Sequence, residues 1–118
     1  MKVLHIDDNK DITNLLSEMI GSLGYDYVVT NNPKDGIERI KKEKFDRIIL
    51  DMHMPELSGI EVIKTLEKEK ILEDQKIVIL SGFPFTYEVR KDLLKMRGIH
   101  DCLKKPIEFS ELLSAIKN

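Results

Sequence analysis

Five short apolar runs, each followed by a segment of helical periodicity, predict a three-layer α/β domain of five strand–helix units. Three observations carry that prediction. The alternation runs the length of the chain without a linker or low-complexity tract, and 118 residues suit one domain with one sizeable core. The fourth run, Ile77-Val78-Ile79, is continuously β-branched, as suits a central strand covered by helices on both faces. Polar groups gather where the runs end, and in an open parallel sheet those ends share one edge.

The elements follow in order. Val3 to Ile6 reads as the first strand. Asp11 to Leu23 then carries Ile12, Leu15, Leu16, Met19, Ile20 and Leu23, which is helical spacing, and Gly24 stops it. Tyr27 to Thr30 is a second strand. Asn32-Pro33 supplies an N-cap and a first-turn proline for the next helix, which uses Ile37 and Ile40. Asp46 to Leu50 is the third strand, running into Asp51, and its loop holds Pro55 and Gly59. A helix with Ile60, Ile63 and Leu66 follows. Lys76 to Leu80 is the fourth strand, and Tyr87 to Met96 a helix ended near Gly98. Ile99 to Lys104 is the fifth strand, and Phe109 to Lys117 closes the chain.

Composition narrows the class. A hydrophobic fraction of 42% beside 34% charged residues describes a soluble globular domain with a dense charged shell. A formal charge of -2 gives no basic footprint for nucleic acid. No apolar run approaches the roughly 18 residues that span a bilayer, and no signal peptide is read at Met1-Lys2-Val3. The one cysteine, Cys102, has no internal disulfide partner, so a reducing cytoplasm is the expected compartment.

The polar groups at the strand ends carry the chemistry. Asp7 and Asp8 follow the first run, Asp51 the third, Ser81 the fourth and Lys105-Pro106 the fifth. Singly, each has an ordinary reading: a helix-capping acid, a turn former, a Ser-Gly turn, a lysine before proline. Jointly, three carboxylates, a hydroxyl and a lysine make a site for a divalent cation and a phosphoryl group. The three histidines lack the i, i+4 spacing of a helical zinc pair. His5 reads as a packed core residue, His53 as a neighbour of the acidic cluster, and His100 as strand-entry surface.

D-D after the first strand, I-L-D-M-H-M-P-x-x-x-G, I-L-S-G and K-P resemble the receiver domain of two-component response regulators. The resemblance covers nearly the whole chain, taken as one receiver domain over residues 1–118. It includes spacings of 43 residues from Asp8 to Asp51 and 30 from Asp51 to Ser81. It implies a flavodoxin-like parallel sheet of order 2-1-3-4-5 and makes Asp51 the phosphoacceptor. It places Mg2+ (or Mn2+) on Asp8 directly, on Asp7 largely through water, and on Asp51 and the His53 carbonyl. Ser81, Lys105 and the backbone N–H groups of His53 and Gly82 would then hold the phosphoryl oxygens. The lysine immediately before proline is the functional one, so Lys105 is chosen over Lys104, and Lys105-Pro106 is a cis candidate.

The resemblance also implies a signalling switch whose only catalysis is its own phosphorylation and dephosphorylation. The alternative is a magnesium-dependent aspartyl-phosphate phosphohydrolase, whose first strand would end in Asp-x-Asp, unlike the adjacent pair here. The implied partners are a sensor histidine kinase or phosphotransfer protein, and a downstream protein on the face of helix four, strand five and helix five. Direct nucleic-acid binding and membrane association are not implied. Two positions depart from the pattern. Cys102 stands where the family usually has Tyr or Phe, an aromatic that turns inward as the hydroxyl residue moves toward the phosphoryl group. Phe83 is bulkier than is common there and, with His53, flanks the approach of a hydrolytic water.

Overall fold

The computed structural model describes residues 1–118. Its strands are β1 (Lys2–Ile6), β2 (Asp26–Thr30), β3 (Arg47–Asp51), β4 (Ile77–Ser81) and β5 (Ile99–Lys104). Its helices are α1 (Lys10–Gly21), α2 (Pro33–Lys42), α3 (Gly59–Lys68), α4 (Tyr87–Lys95) and α5 (Phe109–Lys117). A short 3₁₀ turn, Leu72–Asp74, precedes β4 and had no signal in the sequence reading. The strands are all parallel, in the order β2-β1-β3-β4-β5, as expected.

Alternation along each strand divides the core in two. Leu4, Ile6, Ile48, Leu50, Ile77 and Ile79 pack with Ile37, Ile40, Val62, Ile63, Leu66 and Leu93 on one face. Val3, Ile49, Val78, Leu80 and Leu103 pack with Ile20, Leu112, Ala115 and Ile116 on the other. The buried run Ile77-Val78-Ile79 therefore serves both layers, which is why it needs no polar face.

Local chemistry sets the boundaries. β5 and α5 begin and end where the sequence places them, while β3 and β4 are displaced by one residue so that Asp51 and Ser81 lie inside the strands. Asn32 caps α2 through the N–H groups of Lys34 and Asp35, with Pro33 in the first turn. The cap of α1 is Asn9, which accepts from Asp11 and Ile12, rather than either aspartate before it. Asp7 is thus left free of capping duty. α1 ends at Gly21, before Leu23, and Gly24 turns the chain at φ 90°. Two of the six apolar positions expected on its buried stripe, Leu15 and Leu23, are more than half exposed, at 57% and 51%. Leu15, Ile12 and Leu16 instead border an apolar groove with Pro106, Ile107 and Phe109.

Candidate functional site

Because every strand is parallel, their carboxyl ends meet at one edge, and three backbone hydrogen bonds carry the ladder into the site. Asp7 N–H donates to Thr30 O (3.2 Å), Met52 N–H to Leu80 O (2.8 Å) and Lys105 N–H to Ser81 O (2.7 Å). Asn31 Nδ2 also donates to the Asp7 carbonyl at 2.8 Å. The first residue past β1, β3 and β5 is therefore held by the same ladder as the strand before it.

Carboxylate oxygens of Asp7, Asp8 and Asp51 lie within 4.8 Å of one another. Asp7 and Asp51 are buried and Asp8 is exposed. Lys105 reaches into the cluster, its Nζ 3.1 Å from Asp51 Oδ1 and 3.4 Å from Asp7 Oδ2. Lys104, by contrast, is exposed at the end of β5. The Lys105-Pro106 peptide is cis.

The charges are unequally held. Burial, and next the charge of Asp7, push the Asp51 carboxyl above the usual range, against the pull of Lys105 and the His53 backbone N–H. Burial also pushes Asp7 upward, but His5, the Asn9 N–H and Lys105 together hold it below the usual range. Burial works against the Lys105 ammonium, yet the two carboxylates raise it overall. Three carboxylates facing one ammonium leave an excess of negative charge. An all-oxygen donor set with that excess fits a hard divalent cation such as Mg2+.

Ser81 Oγ is buried and engaged. It accepts from Phe83 N–H (3.1 Å), donates to Phe83 O (2.8 Å) and lies 3.3 Å from His53 Nε2. His53 is exposed, and its ring meets Phe83 edge-on at 4.9 Å between centroids. Gly82 opens onto solvent, with nothing within 4 Å of where a Cβ would stand. Gly59 is the opposite case. A Cβ there would come 2.8 Å from the Asp51 carbonyl and 2.9 Å from Met52 Cα, so α3 seats its first turn directly against the chain leaving Asp51. The Ser58–Glu61 capping box fixes that turn.

Sequence reasoning missed three contributors. His5 is buried as expected, but it also hydrogen-bonds Tyr27 and approaches Asp7. Asn31 orients the Asp7 backbone. Arg90 of α4 reaches across to the Cys102 carbonyl at 2.7 Å and to Asp101 at 3.4 Å. The first two depend on the pairing of β1 with β2, and the third on how α4 packs against β5.

A cluster of three aspartates with a half-buried lysine, at the carboxyl edge of a 2-1-3-4-5 sheet, is the arrangement of a receiver-type signalling domain. The sequence profile of the response regulator receiver domain matches residues 3–117, and the chain belongs to that family. It is 30% identical to the transcriptional regulatory protein CpxR homolog of Haemophilus influenzae, over 98% of this chain and 48% of that protein. The receiver domain of the Francisella response regulator 1452 superposes with a TM-score of 0.86 at 32% identity, covering 98% of this chain and 93% of that one. The Thermotoga maritima regulator TrrA, solved in complex with Mg2+ and BeF, gives 0.79 at 29% identity, covering 98% and 96%. The chain spans about half the length of the transcriptional regulators among the curated relatives it matches. No helix is long and apolar enough to cross a membrane.

Proposed function

We propose that Asp51 is the phosphoacceptor of this receiver domain, taking its phosphoryl group from a sensor histidine kinase or phosphotransfer protein. The observation that carries this is the placement of Asp51 at the end of the central strand β3. There Lys105 is 3.1 Å away and the oxygens of Asp7 and Asp8 are within 4.8 Å. An Asp51 oxygen attacks phosphorus, the bond from phosphorus to the donor breaks, and an acyl phosphate forms. Asp8, Asp7, Asp51 and the His53 carbonyl would hold Mg2+ or Mn2+, which supplies charge neutralisation for two anions brought together. The Mg2+ and BeF complex of TrrA supports this assignment.

Lys105 exchanges its ion pairs for a phosphoryl oxygen, while the N–H groups of His53 and Gly82 offer donors at the same mouth. The apolar groove of Ile12, Leu15, Leu16 and Ile107 adjoins Lys105 and offers the donor protein a surface beside Asp51. The domain acts on no external metabolite; its catalysis is confined to gaining and losing its own phosphoryl group.

Ser81 cannot reach a phosphoryl oxygen while both its hydrogen bonds to Phe83 persist. Its movement therefore unlocks the loop Gly82-Phe83-Pro84-Phe85 and the start of α4. Cys102, buried and small, does not fill vacated space as an aromatic would. Phe85 packs against the same core layer as Cys102 and is the substitute. The face of α4, β5 and α5 passes the change to a downstream protein.

The test is incubation with acetyl phosphate or phosphoramidate, with and without Mg2+, followed by intact mass measurement. A magnesium-dependent phospho-adduct in the parent, absent in Asp51→Asn, is expected. An adduct undiminished in Asp51→Asn overturns the assignment.

A further inference from the structure

His5 sits in β1 with no exposed surface, among Val3, Leu4 and Ile6, where an aliphatic side chain would pack without polar cost. One ring nitrogen is satisfied: Nδ1 is 2.6 Å from the Tyr27 hydroxyl, the two rings meeting edge-on at 5.8 Å. The other, Nε2, is buried without a hydrogen-bond partner and stands 3.6 Å from Asp7 Oδ2. A buried polar atom left unpaired in that way costs free energy, so its neighbour is informative.

The direction of the short bond fixes the ring's tautomer. Burial keeps the Tyr27 phenol protonated, its pKa raised by burial and then by the charge of Asp7. A protonated phenol could donate to Nδ1 or accept from it, but the carboxylate 3.6 Å from Nε2 favours a proton there, so Tyr27 donates to Nδ1. The reverse arrangement would set the Nε2 lone pair against the Asp7 carboxylate, which is repulsive. Asp7 is otherwise held by the Asn9 N–H on Oδ1 (3.0 Å) and by Lys105 near Oδ2 (3.4 Å). Lys105 is the group that turns to a phosphoryl oxygen, and Oδ2 then keeps only His5 among these donors.

We infer that His5 is a positioning residue. Tyr27 sets it as the Nε2–H tautomer, and it steadies Asp7 Oδ2 from behind, so that this carboxylate faces Asp8 and Asp51 in the geometry a divalent cation needs. The inference rests on the reading that Asp7 helps hold the cation. Groups that orient a metal's ligands in this way typically change affinity by about 10-fold or more when removed.

Two measurements test it. Long-range proton–nitrogen correlation of the imidazole in labelled, metal-free parent is expected to show Nε2 protonated and Nδ1 accepting, with the hydrogen-bond shift at Nδ1 lost in Tyr27→Phe. Mg2+ titrations followed by amide shifts are expected to give about tenfold weaker binding in His5→Leu. His5→Gln, whose amide nitrogen reaches the place of Nε2, should recover most of the affinity. Tyr27→Phe leaves His5 packed and should weaken Mg2+ binding even where His5→Leu fails to fold. An Nδ1–H tautomer, or parental affinity in folded His5→Leu or Tyr27→Phe, overturns the role of His5 while leaving the cation site intact. A parent that does not respond to Mg2+, or responds equally in Asp8→Ala, overturns the cation reading and this inference with it.

Discussion

α3 and α4 flank the same site, following β3 and β4, yet they are held to the sheet by different means. α3 buries Gly59, Val62, Ile63 and Leu66 and starts in a complete capping box. α4 buries Leu93 alone, leaves Tyr87, Val89 and Leu94 exposed, and is tied to β5 by the polar reach of Arg90. Its leading loop puts Phe83 67% into solvent. An element with few buried apolar contacts opens locally at low cost. The side that carries Asp51 is firmly seated, and the side that carries Ser81 is the more easily opened.

The comparison breaks first on stability. Leu66→Ala removes a fully buried side chain from the α3 layer and should cost about 3 kcal/mol. Leu93→Ala, at a site that leaves α4 able to collapse, should cost about 2 kcal/mol. Urea unfolding of both variants measures the difference. Equal losses would mean α4 is as firmly seated as α3.

The glycines give a second contrast. Gly59→Ala must displace the chain at Asp51 and Met52 and should cost about 2 kcal/mol while slowing phosphorylation of the domain. Gly82→Ala meets open space and should change stability by less than about 0.5 kcal/mol. Reversal of that order would contradict the seating of α3 against Asp51.

Cys102 reports on the α4 side. Burial pushes its thiol up to about 11, with Arg90 pulling it down and Asp101 raising it. In the folded protein its alkylation rate should climb until about pH 11, while the unfolded chain levels off near the ordinary value of about 8.5. Arg90→Ala removes charged hydrogen bonds of about 1.5 kcal/mol, so amide hydrogen exchange along α4 should speed up by roughly tenfold. An unchanged rate would mean that Arg90 does not hold α4 down.

The smallest effect concerns phosphoryl lifetime. His53 and Phe83 meet edge-on beside Ser81, where their bulk should hinder an approaching water. Phe83→Ala should shorten the lifetime, measured by loss of the mass adduct, with little change in unfolding midpoint. Equal decay in Phe83→Ala, Phe83→Glu and the parent would remove Phe83 from this role.

The contrast also separates what the sequence made legible from what it hid. Asp7, Asp8, Asp51, Ser81 and Lys105 could be read directly because each ends an apolar run, and parallel topology brings such ends together. Boundaries fell within a residue or two wherever Asn, Pro or Gly marks them, as at Asn32-Pro33. The outward turn of Leu15 was hidden, since helical periodicity does not say how wide a stripe the sheet covers. The pairing of His5 with Tyr27 was hidden too, because it depends on β1 lying beside β2, and that of Arg90 with β5 because it depends on how α4 packs.

A pair of structures, free and with Mg2+ and beryllofluoride standing in for the phosphoryl group, tests the division between the two sides most directly. Asp7, Asp8, Asp51 and α3 should stay in place. Ser81 should leave Phe83, and the loop Gly82–Phe85 with the first turn of α4 should carry most of the displacement. Large shifts confined to Cys102 and α5, with that loop unmoved, would contradict it.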